Sequence, residues 1–224
     1  MSSKACPLSV MFTCKDMKKS VAFYRDRLGF QLEQSWPDAD APQWANLMLD
    51  GQSVMLGAAM SPDQVGQSCH GDEAEMRWWK EQSKAFQENR PGVGVMIYVQ
   101  VKDVDRYHAD VAQRGAKPDT APKTQFYGIR DFGLADPDGY RLVFYTAVTL
   151  ESCQSCGMPL TGAQPGQMYC AYCTDEAGQL KPYDVVLEGT TSGYFMGMKK
   201  LPRPDAEKAA REHLSKMPAW AGRQ

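Results

Sequence analysis

The stretch Met11-Phe12-Thr13-Cys14-Lys15-Asp16-Met17-Lys18-Lys19-Ser20-Val21-Ala22-Phe23-Tyr24-Arg25-Asp26-Arg27-Leu28-Gly29-Phe30 sets the fold. A short strand-like run, Met11 to Cys14, leads to Asp16, whose carboxylate can accept from the free N–H groups at a helix start. Met17, Val21, Tyr24 and Leu28 then recur at spacings of three and four, which places them on one helical face. Gly29 ends the helix, because glycine takes up the left-handed conformation common just past a helix C-terminus.

The pattern returns at Ile97-Tyr98-Val99-Gln100-Val101-Lys102-Asp103, with Asp103 lying 87 residues after Asp16. Val104, Tyr107 and Val111 share the second helical face, and Gly115 is its stop. Each copy continues into a hairpin signal, Asp50-Gly51 within Trp44 to Leu56 and Asp138-Gly139 within Gly133 to Tyr145. Each half therefore reads strand, helix, then about three strands. Such a βαβββ unit leaves one sheet face uncovered, so two units must pack together or pair with another chain. Between them, Met60 to Pro91 is polar, with a helix expected from Asp72 to Asn89. Its Trp78 and Trp79 call for an apolar surface, either as a linker helix packed on the sheet or as a lid over a pocket.

The composition is that of an ordinary globular chain: 224 residues, 43% hydrophobic and 23% charged. Lys+Arg 25 against Asp+Glu 27 gives a net charge of -2, which excludes a general attraction to nucleic acid or anionic membrane. No window approaches the roughly 20 apolar residues of a membrane span. Met1 to Pro7 lacks the basic-then-apolar layout of a secretory signal, so a cytoplasmic protein is expected.

Seven cysteines are unevenly placed: Cys6, Cys14 and Cys69 are scattered, whereas Cys153, Cys156, Cys170 and Cys173 crowd one window. Cys153-Gln154-Ser155-Cys156 and Cys170-Ala171-Tyr172-Cys173 are two knuckles separated by 13 residues. Two residues between cysteines let one tight turn aim both sulfurs at a shared ion, and the returning segment closes the tetrahedron. A redox dithiol is the competing reading, but two pairs in loop sequence point to a structural zinc with no open position. Apolar Tyr140 to Val148 gives way to Gly-, Pro- and Cys-rich sequence, which places domains at residues 1–149 and 150–224. After the cysteines, Pro204 and Asp205 begin a helix with Ala206, Ala209, Ala210, His213, Leu214 and Met217 on one face, and Pro218 ends it. The expected fold class is α+β: two βαβββ modules forming a cleft-shaped mixed sheet, plus a small zinc ribbon with a terminal helix.

Asp16 through Phe30, and Tyr127-Gly128-Ile129-Arg130-Asp131-Phe132 through Asp136-Pro137-Asp138-Gly139-Tyr140, resemble signature segments of the vicinal oxygen chelate superfamily. That superfamily includes glyoxalase I, extradiol dioxygenases, fosfomycin-resistance enzymes and bleomycin-binding proteins. The resemblance covers roughly residues 7 to 148 and speaks for the fold more than for one chemistry. Residues 151 to 224 resemble a bacterial zinc-ribbon family through Cys-Gln-Ser-Cys-Gly-Met-Pro and the close Met217-Pro218-Ala219-Trp220.

In metal-dependent members the resemblance implies one His, Glu or Gln ligand on the first and last strand of each half. Seven residues before each capping Asp stand Ser9 and Met96; five after each turn Asp stand Met55 and Val143. Thioether and alkyl groups give a hard or borderline cation nothing to bind, so no cofactor is expected in the first domain. What remains is a cleft bordered by Trp36, Trp44, Met55, Met96, Phe126, Tyr127 and Phe132, suited to a flat apolar or aromatic ligand, unless these side chains simply fill a core. Arg130 beside them either pairs with Asp131 or Asp136 or meets an anionic ligand group.

The expected function is binding of a small molecule in that cleft. One alternative is a lyase or isomerase of the glyoxalase type with a non-standard metal site that recruits His70, Glu73 or another chain. Another is a regulatory or interaction module acting through the ribbon. His108, His70 and His213 have no metal-pair spacing apart from the loose His70-Gly71-Asp72-Glu73 cluster. The basic group Lys199, Lys200 and Arg203 is too small to favour nucleic acid. A homodimer is expected by analogy with the superfamily.

Overall fold

The computed structural model of the chain describes residues 9–68 and 73–222. It divides into two compact units: one formed by residues up to Pro122 with Asp131–Thr146, the other by Lys123–Arg130 with Ala147 onward.

The first half comprises β1 (Val10–Cys14), α1 (Met17–Ala22), β2 (Gln31–Trp36), β3 (Trp44–Leu49) and β4 (Gln52–Ala58). Two helices follow, α2 (Pro62–Ser68) and α3 (Glu73–Glu88). The second half repeats the plan with β5 (Met96–Gln100), α4 (Val104–Gln113), β6 (Lys123–Thr124), β7 (Ile129–Ala135) and β8 (Arg141–Ala147). The sheets have matching orders, β1-β4-β3-β2 and β5-β8-β7-β6, with a parallel first pair in each.

Both helices start as their sequences dictate. Asp16 accepts from the Lys19 amide at 2.9 Å and Asp103 from the Arg106 amide at 3.0 Å. Met17, Val21, Tyr24 and Leu28 are all buried, as are Val104 and Val111. Between capping Asp and terminal Gly the first copy is one residue longer than the second, and the chain absorbs it by widening Phe23–Arg27 into a π-helical turn. Asp50 and Gly51 take φ of 47° and 83°, the pair of positive values a tight hairpin needs.

The halves lock together reciprocally. Arg27 Nη1 donates to the Gly115 carbonyl at 2.5 Å, while a Cβ on Gly29 would collide with the Arg114 guanidinium. Gln52 exchanges two hydrogen bonds with the Gln100 backbone, at 2.7 and 3.1 Å. The Lys15 amide donates to Asp138 Oδ1 at 3.0 Å. One core runs through Phe12, Tyr24, Leu28, Leu56, Phe132 and Phe144 between the sheets and their helices.

Helix α3 differs from the expectation. It has no buried residue, and Trp78 stays 51% exposed with Trp79 edge-on to it at 4.8 Å. Its main neighbour is α2, and the two indoles lie edge-on against each other.

The second unit holds the cysteine knuckles, α5 (Tyr183–Gly189) continuing into a π-helical run Thr190–Met198, α6 (Arg203–Ser215) and a short turn Pro218–Trp220. Ala210, Leu214 and Trp220 pack with the cysteines, Leu160, Val186 and Leu187 into a separate core. No helix among the described residues is long and apolar enough to cross a membrane.

Candidate functional site

Sheet alternation places the cleft residues of the first half. Ala45, Leu47, Val54 and Leu56 point to the core, so their alternates Trp44, Asn46, Met55 and Gly57 lie on the other face. Register then draws two rows on that face, Gln34–Asn46–Met55–Met11 and Trp36–Trp44–Gly57–Thr13. Trp36 is 59% exposed, and Met11 lies alongside Gly57, its sulfur 3.7 Å from where a Cβ would stand.

In the second half Met96 pairs with Arg141 and Tyr98 with Val143, again opposite in sense to the buried Val99, Leu142 and Phe144. Met96 is 60% exposed and Tyr98 sits edge-on to Tyr145 at 6.1 Å. Met11 and Tyr98 belong to this open surface and are not among the residues expected to border the cleft. Stepping two residues from Ser9 and from Met96 finds both, because alternate strand residues share a face.

Phe132 is elsewhere. It is 2% exposed, stacks on Phe144 at 5.5 Å and meets His108 edge-on at 4.9 Å, all on the helix side of the sheet. Phe132 is therefore a core residue and not part of a cleft, since its parity on β7 matches the buried Leu134. Phe126, Tyr127 and Arg130 belong to the second unit. Phe126 is exposed and edge-on to Tyr127 at 5.1 Å, and Arg130 Nη1 donates to Thr124 Oγ1 at 3.4 Å. Asp136 serves the opposite half: its Oδ2 accepts from the Tyr24 hydroxyl at 3.1 Å and its Oδ1 from the Asp138, Gly139 and Tyr140 amides. Burial pushes the Asp136 carboxyl up, against the pull of those hydrogen bonds, and pushes the nearby Cys14 thiol up to about 12.

The positions compared with metal ligands are held by a Ser9 hydroxyl, two thioethers and the 7% exposed Val143. His70, which the alternative reading enlists with Glu73, lies outside the described residues, as do Cys6 and Cys69.

The four ribbon cysteines do come together, with all four sulfurs within 4.8 Å of one another and Cys156 Sγ 3.7 Å from Cys170 Sγ. Four sulfurs at about 2.3 Å around one zinc stand about 3.8 Å apart, so the donor set fits the ion in kind and spacing. Each knuckle is held by its own backbone: the Gly157 amide donates to the Cys153 carbonyl at 2.8 Å, and the Cys173 amide to the Cys170 carbonyl at 2.9 Å. The Cys170 amide also donates to Cys153 Sγ at 3.3 Å. Hydrogen bonds from Cys156 and Cys173 pull the Cys153 thiol far down, and sharing with Cys153 holds Cys156 up, as expected of sulfurs that can all ionise only around a cation. Cys153, Cys156, Cys170 and Cys173 would hold the zinc, which supplies the cross-link that a unit with so small a core needs.

The outer contacts explain the rest of the motif. Gly157, at φ 74°, leaves room for His213, whose Nε2 bonds the Cys156 carbonyl at 2.8 Å. Trp220 donates Nε1–H to the Ser155 carbonyl at 2.9 Å and lies edge-on to Tyr183. The closing Met-Pro-Ala-Trp thus seals the first knuckle.

A family model described as Glyoxalase/Bleomycin resistance protein/Dioxygenase superfamily matches residues 8–144. The chain belongs to that superfamily. The family described as Putative zinc ribbon domain follows at residues 152–221. Among solved structures, a glyoxalase/bleomycin resistance protein/dioxygenase from Nocardioides is 19% identical over 75% of this chain and 91% of its own, with a TM-score of 0.47. TioX from Micromonospora sp. ML1 is 20% identical over 63% and 98%, with a TM-score of 0.46. A superfamily member from Sphaerobacter thermophilus DSM 20745 is 21% identical over 63% and 97%, with a TM-score of 0.44. No curated protein matches the chain.

Proposed function

We propose that the first unit binds a flat apolar or aromatic small molecule on its open sheet face and does not polarise it with a metal ion. One observation carries this reading: at the four positions where the resemblance puts the superfamily's ligands stand Ser9, Met55, Met96 and Val143, none a useful donor to a catalytic cation. Trp36, Trp44, Met11 and Tyr98 on the same faces give contact area for a ring. Thioethers adapt to its outline. The ribbon zinc is structural, and two copies pair as a homodimer, as members of this superfamily often do.

Screening a library of aromatic compounds by tryptophan quenching tests the reading. A compound that quenches saturably should lose roughly tenfold in affinity with Trp44→Ala. Metal analysis runs in parallel. One zinc per chain, lost in the double variant Cys153→Ser/Cys170→Ser, agrees with it; a second equivalent that survives, or a library without ligands, overturns it.

A further inference from the structure

The second unit contains a cavity of about 710 Å³ walled by the first knuckle, the second knuckle, α5 with its π-helical continuation, and α6. That volume lies within the roughly 300–1,000 Å³ of small-molecule sites. Met158, Tyr172, Val185, Tyr194 and Met198 line it and are between 41% and 76% exposed, so most of its wall is apolar side chain open to a guest.

The floor is bare helix. Gly189 and Gly193 line the cavity one turn apart, and a Cβ on either would meet nothing within 4 Å. A guest can therefore lie directly on the backbone there. Lys181 is the one ammonium group on the wall, beside the His213 imidazole, and no Asp or Glu is among the described lining residues. His213 is occupied with the Cys156 carbonyl, whereas Lys181 Nζ gives one proton to the Tyr172 carbonyl at 3.0 Å and has two others to offer. Cys156 and Cys173 also face the cavity, and a zinc held by four thiolates carries excess negative charge, so an anionic guest depends on Lys181 to offset it.

We propose that the ribbon unit carries a ligand site of its own, which takes an apolar small molecule ending in a carboxylate, with its hydrocarbon over Gly189 and Gly193 and its charge on Lys181. The site is independent of the sheet face of the first unit.

The test uses the full-length zinc-loaded chain with ¹³C-methyl methionine. Dodecanoate, dodecanol and dodecyltrimethylammonium are titrated below their micelle-forming concentrations, and Met158→Leu and Met198→Leu assign the two reporter signals. Dodecanoate should shift both signals saturably, dodecanol should bind about tenfold more weakly, and the ammonium compound weaker still. Lys181→Met should bring dodecanoate down to the level of dodecanol. Gly193→Leu, a better helix former that fills the floor, should abolish the shifts with zinc content unchanged. Val185→Glu, at an exposed wall position, is a second block acting by charge. The proposal is overturned if no probe moves the two signals, if binding survives both blocks, or if the ammonium compound matches dodecanoate.

Discussion

Tyr24 and Asp136, 112 positions apart, meet in the first unit, where the phenol donates to the carboxylate at 3.1 Å. One belongs to the helix of the first half and the other to the turn after β7 of the second, so this bond ties the duplicate modules at the core. Tyr24 is fully buried, and removing its hydroxyl leaves a carboxylate oxygen without that donor. Tyr24→Phe should cost about 1–3 kcal/mol at neutral pH, read from urea denaturation. Burial has raised the folded pKa of Asp136, so the protonated form favours folding below the ordinary Asp range and that benefit fades as pH rises through the folded value. Loss of the Tyr24 donor raises that value further. The deficit of the variant should therefore shrink on acidification and grow toward neutrality; a deficit flat with pH would refute the assignment.

Removing zinc should unfold the second unit. Chelation, or Cys153→Ser, should abolish the near-ultraviolet circular dichroism of Trp220, whose indole is held on the first knuckle. Zinc uptake displaces thiol protons, so affinity should rise with pH, which competition with a chromophoric chelator at several pH values would show.

Gly128 and Gly162 separate steric from conformational cost. Gly128 has φ of 84°, and a Cβ there would stand 2.9 Å from Gly166 Cα, backbone that cannot swing aside. Gly162 has φ of 73° with open space around it. Gly162→Ala should cost about 1–2 kcal/mol for its backbone conformation alone, and Gly128→Ala clearly more, measured as thermal midpoints of zinc-loaded protein.

Placing donors at these four positions should create a metal site. The quadruple variant Ser9→His, Met55→Glu, Met96→His, Val143→Glu should bind a second divalent ion that persists when Cys153 and Cys170 are replaced. Elemental analysis of the two backgrounds checks it, and a stoichiometry of one would mean that these positions do not converge.

The duplicated frame was legible because its signals are local: a capping Asp, a three-four apolar spacing and a stop glycine all act within one turn of helix. The knuckles were legible for the same reason. For Phe132 the choice between cleft and core stays open in the sequence because its face is set by register on β7, which the motif around it does not reveal. Met11 and Tyr98 were missed although alternation predicts them. The long helix from Tyr183 to Met198 has no counterpart in the sequence analysis; burial of Val186, Leu187, Thr190 and Thr191 on its inner side offsets the low helix propensity of its three glycines.

The widened turn at Phe23–Arg27 has a genetic consequence. One codon lost inside those five residues would return the segment to regular pitch and leave Leu28 and Gly29 in their places. The same loss early in α4 would swing Val111 by about 100° off its face. One copy of the ancestral helix thus has slack for length variation, and the other has none.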